Sequence, residues 1–581
     1  PGSHVRVRGK VRLFRGLPQM TQPKWEPVDD DTPTTDEAMF RPIYAATADL
    51  SSDEIVAIVK DNIDVMLADV GEWFDDSLLR KHQLPGRAEA YRLVHMPSSW
   101  REALAGRRRL VFDELMLLQL GLQIGRRERE GRLSAPVLRI DKTLDGRIRG
   151  RFPFDMTRAQ QNAVFQIAAD LKSGRPMNRL LQGDVGSGKT VVALYAMLIA
   201  VANKMQCAFL APTEVLAEQH YRNLTKMLDG SKVGVDLVTG RTKRAGKTVG
   251  PAMFDTTDIA VGTQALLQKD IDFANLGLVI IDEQHKLGVK QRGHLMNAGT
   301  SPHYLVMTAT PIPRTLALSY LSDFDVTTLD ELPPGRQPIR TYHLKPRERK
   351  KAYDFVRRQV EEGRQAYVVL PQIDDDGLSD TASVRKHFDD LKKKYLKDLR
   401  IGMMHGQLPP NEKQQAMADF RSGALDVLVS TTVIEVGVDV PNATVMVIES
   451  ADRFGLSQLH QLRGRVGRGE HASFCVLVSD ATTPDSQERI AAMCRTNDGF
   501  EIAETDLKLR GPGDFFGTRQ HGLPPMKIAD VTKELELLKL AKDDAAALLA
   551  DDPNLEKSEH AALRGALLKT YGETLDLAQV G

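Results

Sequence analysis

The sequence predicts an α/β protein: two tandem parallel-sheet domains, with a partial β-module and a helical region before them and a helical region after them. Three observations carry this. From 151 to 332, short apolar runs alternate with helical periodicity, the pattern of a parallel sheet covered by helices. Pro333-Pro334-Gly335 then interrupts the pattern as an inter-domain joint, and a second alternating set follows it. The segment GDVGSGKT at 183–190 lies between an apolar strand ending in Leu180-Leu181 and an apolar helix from Val191 to Ala202, a glycine-rich turn at a strand-to-helix junction.

In chain order, residues 4–14, HVRVRGKVRLF, alternate polar and apolar and predict one or two β-strands. One pair of strands is marginal alone, so 1–30 is expected to be the remnant of a small β-domain whose earlier part is absent. Residues 21–36, rich in Pro, Asp and Thr, predict a loop. A helical linker region is expected over 31–150, with an N-terminal cap at Ser51-Ser52-Asp53-Glu54. Leu104, Leu115, Leu118 and Leu122 mark an apolar stripe there, flanked by Arg107–Arg109 and Arg126–Arg129. Those arginines suit a solvated helix face better than a DNA contact. The first sheet domain, 151–335, has candidate strands at 179–183, 207–211, 234–238, 258–262, 277–281 and 303–307. The second, 336–480, has them at Ala366–Leu370, Ile401–His405, Val427–Ser430, Val445–Glu449 and Phe474–Val478. Within 481–581, Leu- and Ala-rich helical periodicity returns from about 530.

Composition sets bounds. The 581 residues are 42% apolar and 27% charged, ordinary for a globular protein, and the net charge is zero. Any nucleic-acid-binding surface must therefore be local. The three cysteines, Cys207, Cys475 and Cys494, lack metal-ligand spacing and suit a reducing cytosol; Cys207 and Cys475 lie in apolar strand-like runs as buried small hydrophobes. No run reaches the roughly 18 apolar residues of a membrane span, so a cytoplasmic protein is expected.

The chemistry concentrates in four segments. In GDVGSGKT, with Gly183, Gly186, Ser187, Gly188, Lys189 and Thr190, backbone N–H groups can cradle phosphates at the positive end of a helix dipole. Lys189 can reach the terminal phosphates and Thr190 can bind Mg²⁺; a plain glycine-rich turn is the weaker reading. DEQH at 282–285 follows the apolar run Leu278–Ile281, so its carboxylates stand at the end of a strand buried on both faces. Asp282 would hold Mg²⁺ through water and Glu283 would orient and deprotonate the attacking water; alone, the pair would more often be a helix N-cap. The third segment is TATPIPRT at 308–315. The fourth, QLRGRVGRG at 461–469, carries Arg465 and Arg468, which could supply positive charge to a transferring phosphate, or equally form a basic surface turn. Two parallel-sheet domains with one phosphate loop suggest a cleft that closes over ATP.

Taken together, these segments resemble the superfamily-two helicases over most of the chain, which implies two RecA-like motor domains. By that resemblance Thr157 and Gln160, behind Phe154, are the adenine-reading segment; the local sequence alone nearly as well fits a helix cap with an exposed Gln. Thr213-Glu214, Gly240-Arg241 and Thr263-Gln264 in the first domain, with His405-Gly406 and Ser430-Thr431-Thr432 in the second, fall where such motors grip a nucleic-acid backbone, although each could cap a helix instead. Gly437 and Asp439, in VIEVGVDVP, would sense nucleotide from the second domain. The segment 498–522, DGFEIAETDLKLRGPGDFFGTRQHG, is similar to the translocation motif of the RecG family of bacterial branched-DNA helicases. Pro512, Gly517-Thr518-Arg519, Gln284 and the segment from Tyr44 to His95-Met96-Pro97 share that likeness. The resemblance implies that Arg489, Arg510 and Gln520 couple hydrolysis to DNA movement; without it Arg510 reads as a turn arginine before Gly511-Pro512-Gly513. Two features depart from the family. Lys286-Leu287 stands where Arg-Phe is more usual, and only the last strands of the family's β-barrel wedge are expected here.

The implied function is an ATP- and Mg²⁺-dependent translocase on branched double-stranded DNA, acting at stalled forks and four-way junctions. It is expected to be monomeric, with single-stranded-DNA-binding protein as a further candidate partner. A transcription-repair-coupling translocase shares a related translocation motif. An RNA helicase is disfavoured by that motif and by the lack of a DEAD or DEAH tetrad. A non-hydrolysing scaffold is disfavoured by the presence of Glu283 and Arg468.

Overall fold

The computed structural model describes residues 5–8, 11–14, 17–20, 23–27, 42–47, 49–132, 134–239, 257–263, 266, 273–283, 301–309, 324–333, 337–371, 380–431, 440–510, 526–530 and 533–572. The chain divides into two compact units, Pro1–Val111 and Phe112–Gly581.

The first unit opens with four short strands, β1 (Val5–Arg8), β2 (Val11–Phe14), β3 (Leu17–Met20) and β4 (Lys24–Pro27). β1 pairs antiparallel with β4, and β2 with β3. Residues 4–14 hold two strands, as expected; β4 corrects the loop expected over 21–36, and Pro18 and Pro27 hide β3 and β4 from a pattern reading. The helix Ser52–Leu67 begins as expected: Ser51 and Glu54 form a reciprocal capping box. The Tyr44 hydroxyl meets His95 Nδ1 at 2.6 Å, tying together the two ends of the segment from Tyr44 to Pro97.

Arg109 departs from the solvated-face expectation, whereas Arg108 and Arg127 are exposed. Arg109 is fully buried, bonded to both carboxylate oxygens of Glu72 at 2.5 and 3.2 Å and to the Pro85 carbonyl. Leu104 is 46% exposed and stands apart from the apolar stripe, whereas Leu115, Leu118 and Leu122 are buried. The helix Trp100–Arg132 passes from the first unit into the second. In the second unit Arg126 pairs with Asp325 at 2.8 Å and Arg127 donates to the Leu549 carbonyl, so these two also serve packing. Glu114 accepts from the backbone N–H groups of Lys527, Ile528 and Ala529, and Gln123 donates to the Lys542 carbonyl. These contacts join that helix to the segment 527–529 and to the C-terminal helix Leu535–Asp551, which the helix Ala561–Tyr571 follows.

The second unit contains two parallel sheets. The first has β5 (Asn178–Gly183), β6 (Gln206–Leu210), β7 (Val235–Val238), β8 (Ile259–Gly262), β9 (Leu276–Asp282), β10 (His303–Thr308) and β11 (Asp325–Leu329), in the order β11-β5-β10-β9-β6-β8-β7. The second has β12 (Arg340–Leu344), β13 (Gln365–Val369), β14 (Ile401–Met404), β15 (Val427–Ser430), β16 (Ala443–Glu449) and β17 (Phe474–Val478), in the order β12-β17-β16-β13-β15-β14. Central strands are apolar on both faces because helices cover both. In the first sheet Leu181, Ile280 and Leu305 face one core, and Leu180, Val279, Ile281 and Val306 the other. In the second, Tyr367, Val369 and Met446 pack with the helices Pro410–Arg421, Leu456–Arg463 and Pro484–Arg495, while Val368, Val445 and Val447 pack with Arg349–Glu361. Two RecA-like parallel-sheet domains result. Cys207 and Cys475 are buried strand residues as expected, and burial pushes the Cys475 thiol up to about 12. Among the described residues no helix is long and apolar enough to cross a membrane.

Candidate active site

Parallel sheets place loops that can bind ligands at the carboxyl ends of their strands. β5 ends at Gly183 and the helix Lys189–Ala202 starts six residues later. Gly186 and Gly188 have φ of 81° and 87°, a region open to glycine at no steric cost. An added Cβ at Gly188 would also stand 2.2 Å from Gln160 Nε2 and push that amide off the loop. Lys189 Nζ donates to the carbonyls of Gly183 and Asp184 at 2.8 and 2.9 Å. The Ser187 hydroxyl is buried and meets no hydrogen-bond partner among the described residues. A curled glycine loop, a lysine held at its mouth and a buried orphan hydroxyl fit a triphosphate.

Thr157 and Gln160 do cap a helix, but Gln160 is not exposed. It is buried, its Oε1 accepts from Thr157 N–H at 3.0 Å, and its Nε2 donates to the Ser187 carbonyl at 2.9 Å. Gln160 thus braces the phosphate loop, and one N–H and one lone pair of its amide are not used in these two bonds. Phe154 is 47% exposed beside Phe152.

β9 delivers the carboxylates. Asp282 Oδ2 meets His220 Nε2 at 2.8 Å. Glu283 takes φ of 53°, a left-handed value uncommon for a side-chain-bearing residue and shared here with Gln83, Lys204, Ser450, Ala481 and Leu555. Its N–H donates to the Met307 carbonyl and its Oε1 accepts from Ala309 N–H at 3.1 Å. Glu283 is therefore clamped onto the segment that begins TATPIPRT. Among the described residues no cluster of three or more acidic, His or Cys side chains could hold a metal alone. Mg²⁺ does not require one: Asp282 and the Thr190 hydroxyl suit an ion that keeps several waters and takes its remaining ligands from phosphates.

The second sheet domain reaches this site through the helix Leu456–Arg463. An added Cβ on Gly464 would lie 3.0 Å from Val185 Cβ in the phosphate loop. His460 Nε2 contacts Asp184 Oδ1 at 2.6 Å, and Arg463 Nη2 donates to His460 Nδ1 at 2.9 Å. Since Nδ1 accepts, Nε2 carries the hydrogen and donates to Asp184. Arg463 is buried, which pulls its basicity below the usual arginine value, and its Nη1 donates to the carbonyls of Met493 and Thr496 at 3.1 and 2.7 Å. Arg465 and Arg468 follow in the next turn; Arg468 Nε donates to the Gly464 carbonyl at 3.2 Å.

The residues expected to touch DNA stand at strand ends as well. Thr213, beyond β6, caps the helix Glu214–Met227, accepting from Leu216 N–H at 3.4 Å, so the capping alternative is realised there. Thr263 follows β8. His405 and Gly406 follow β14; His405 is buried and the Gly406 carbonyl accepts from Lys413 Nζ at 2.5 Å. Thr431 follows β15 and is buried, its N–H donating to the Met404 carbonyl. Arg489, on the helix Pro484–Arg495, donates to the Phe454 carbonyl at 3.0 Å. The helix Gly499–Arg510 ends at Arg510. The Arg510 side chain, Arg241, Gln264, Gly437, Asp439 and Gln520 lie outside the described residues.

Sequence reasoning passes over Asp184, His220, His460 and Arg463. One signal is available: His220 shares the buried face of its helix with Ala217 and Leu224, a polar residue at core spacing.

Comparison with known proteins agrees with this geometry. Residues 157–318 match the DEAD/DEAH box helicase family, 349–470 the helicase conserved C-terminal domain, and 496–580 the C-terminal part of domain 3 of ATP-dependent DNA helicase RecG. An ATP-dependent DNA helicase RecG from Synechocystis is 42% identical over 580 residues, covering 99% of this chain and 69% of the relative. This chain belongs to the RecG family of ATP-dependent DNA helicases. The Bacillus subtilis RecG is 41% identical, with 98% of this chain and 83% of the relative covered. A solved RecG structure, bound to a three-way DNA junction, superposes with a TM-score of 0.68 at 40% identity over 92% of this chain and 70% of that one.

Proposed function

We propose that this RecG-family chain is a double-stranded-DNA translocase that remodels branched DNA, such as stalled forks and four-way junctions. In this reading it hydrolyses MgATP between the loop 183–190 and the arginines at 465 and 468. The observation that carries the coupling is the hydrogen-bonded series from Asp184 through His460 and Arg463 to the carbonyls of Met493 and Thr496. It begins in the phosphate loop and ends at the base of the segment 498–522. The branched substrate rests on the related RecG that holds a three-way junction.

The roles follow from placement. Lys189 exchanges the Gly183 and Asp184 carbonyls for phosphate oxygens. Glu283, held through Oε1 by Ala309, keeps its other oxygen for the attacking water. Bound Mg²⁺, on Thr190 and Asp282, supplies charge neutralisation at the transferring phosphate. Arg465 and Arg468 bring positive charge from the second domain, so hydrolysis requires the domains together. Phe154, Thr157 and Gln160 hold the base; Gly437 and Asp439 sense nucleotide. Thr213, Glu214, Arg241, Thr263, Gln264, His405, Gly406 and Thr431 track the DNA backbone, and Arg489, Arg510 and Gln520 convert closure into movement. One chain carries both halves of the site, so a cytoplasmic monomer suffices.

The test compares ATPase and branch migration on single-stranded, duplex and branched DNA and on RNA. Branched DNA is expected to stimulate most. Arg510→Ala is expected to retain substantial DNA-stimulated ATPase while losing most branch migration. Strict proportional loss of both activities would reduce the segment to a general DNA-binding or folding role.

A further inference from the structure

His220 has no part in the chemistry described above, yet it touches that chemistry directly. It lies on the helix Glu214–Met227, 9% exposed, with its ring 4.5 Å from Phe209 at the end of β6. Its Nε2 stands 2.8 Å from Asp282 Oδ2. Its other nitrogen, Nδ1, is buried and has no hydrogen-bond partner among the described residues. A helix residue facing a sheet core is ordinarily apolar. A ring with one nitrogen spent on a carboxylate and the other left orphaned makes poor sense as packing, since a buried unpartnered acceptor costs stability. It makes sense if the bond to Asp282 is what the residue is for.

We infer that His220 is a positioning residue for Mg²⁺: it fixes the Asp282 carboxylate so that Oδ1 faces the phosphate loop and the metal's water shell. This rests on the reading of Asp282 as the Mg²⁺-holding carboxylate. A carboxylate alone at a strand end can turn about its side-chain torsions. Taking up Oδ2 with a ring wedged against Phe209 removes that freedom before the ion arrives. Groups that orient a metal's direct ligands typically change its affinity by about 10–100-fold when removed, and one acting through a water-bridged carboxylate belongs at the lower end of that range.

The helix adds a reason for a histidine at this place. Glu218, two residues before His220, accepts from Gln414 of the second domain at 3.2 Å, and Val215 packs against the second domain's core. The element that orients Asp282 is therefore also one of the elements on which the second domain rests.

The experiment measures Mg²⁺ dependence of a fluorescent, non-hydrolysable ATP analogue binding to the full chain, so that no turnover is involved. Three substitutions are compared. His220→Phe keeps an aromatic ring against Phe209 and removes the donor. His220→Gln places an amide N–H near the position of Nε2. Asp282→Asn tests the underlying reading. His220→Phe is expected to raise the half-saturating Mg²⁺ about 10-fold, with binding in the absence of Mg²⁺ and the thermal midpoint near wild type, and His220→Gln to recover most of that loss. If Asp282→Asn shifts the Mg²⁺ curve and both His220 variants leave it within twofold of wild type, the inference about His220 is wrong. If Asp282→Asn leaves the curve unshifted, the reading of Asp282 fails and the inference falls with it. Should His220→Phe fail to fold, His220→Gln against His220→Asn decides: only Gln reaches Asp282, and equal Mg²⁺ curves for the two overturn the proposal.

Discussion

At the end of β9 in the first sheet stands Asp282, and at the end of β16 in the second stands Glu449. Both are carboxylates at the carboxyl end of an inner strand of a parallel sheet, both largely buried. Their neighbours differ. Glu449 accepts from the Tyr353 hydroxyl at 2.7 Å and from Arg349 Nε and Nη2 at 3.0 and 2.9 Å. Both its oxygens are consumed within its own domain, and burial, followed by the Glu449 charge, raises the Tyr353 hydroxyl well above its ordinary pKa. Among the described residues Asp282 meets one side-chain donor, His220, and next to it stands Glu283 with a left-handed φ. In the proposed reading, the same position in the same fold thus serves a structural ion pair in one domain and chemistry in the other. What decides is whether a cation of the protein already neutralises the carboxylate.

The largest effects are expected on the first sheet. Lys189→Ala should weaken nucleotide binding and remove ATPase. Glu283→Gln should keep nucleotide binding and lower turnover by about 10²–10⁴, as loss of a general base does. Turnover near wild type in Glu283→Gln would break the comparison at its root, since Glu283 would then be as structural as Glu449. Arg468→Ala, the second domain's contribution, should leave ATP affinity nearly intact and cut the saturated rate by about 10³ or more. A fall in affinity with an unchanged saturated rate would move Arg468 out of the transition state.

Glu449→Gln should invert this pattern. Its loss leaves the buried Tyr353 hydroxyl and the two-thirds-buried Arg349 head short of an acceptor charge, at a cost of about 1–3 kcal/mol. Denaturant melts should record that cost, while ATPase per folded molecule at low temperature stays close to wild type.

The two sheets also differ in how readily they read from sequence. Central strands such as Leu276–Asp282 and Ala443–Glu449 are continuous apolar runs, because both faces are covered; of the eleven expected strands, β7 (VDLV) and β14 (IGMM) lie at sheet edges and are legible from shorter apolar stretches. The two that escape, β11 with DVTTL and β12 with RTYHL, are edge strands; β12 is half exposed along its length and carries no apolar run. Residues that act through backbone geometry or short spacing are legible: the glycines of the phosphate loop, Lys189, Asp282 and Glu283. Residues that act through a partner far along the chain are not. Nothing near Arg109 announces Glu72, and nothing near His460 announces Asp184, so a pattern reading assigns the first to surface charge and passes over the second.

That same distance makes His460 informative. His460→Ala should remove the one hydrogen-bonded route from Asp184 to Arg463 seen among the described residues. A bond to a charged group is worth about 1.5–3 kcal/mol, but Lys189, Glu283 and Arg468 all remain. Basal ATPase should therefore fall only several-fold, with a larger fall in DNA-stimulated branch migration. Equal losses in both would place His460 in simple domain packing.

The smallest effect is expected at a second inter-domain bond. Gln414 Nε2 lies 3.2 and 3.3 Å from the two Glu218 oxygens, and Glu218 also faces Arg222 on its own helix at 3.9 Å. Long bonds between partly exposed groups contribute little, about 0.5–1 kcal/mol. Both helices begin beside segments proposed to track the DNA backbone, at Thr213 and at Gly406, and neither residue faces the phosphate loop as His460 does. Gln414→Ala should thus leave ATPase without DNA unchanged and raise the duplex concentration needed for half-maximal stimulation by about two- to fivefold. Its effect should grow with salt. Screening weakens the grip on each phosphate, so the DNA-bound arrangement depends more on bonds between the two domains. If ATPase without DNA drops in Gln414→Ala while the DNA requirement stays fixed, the Gln414–Glu218 bond belongs to the nucleotide side. The division of the domain interface into an ATP end at His460 and a DNA end at Gln414 would then be wrong.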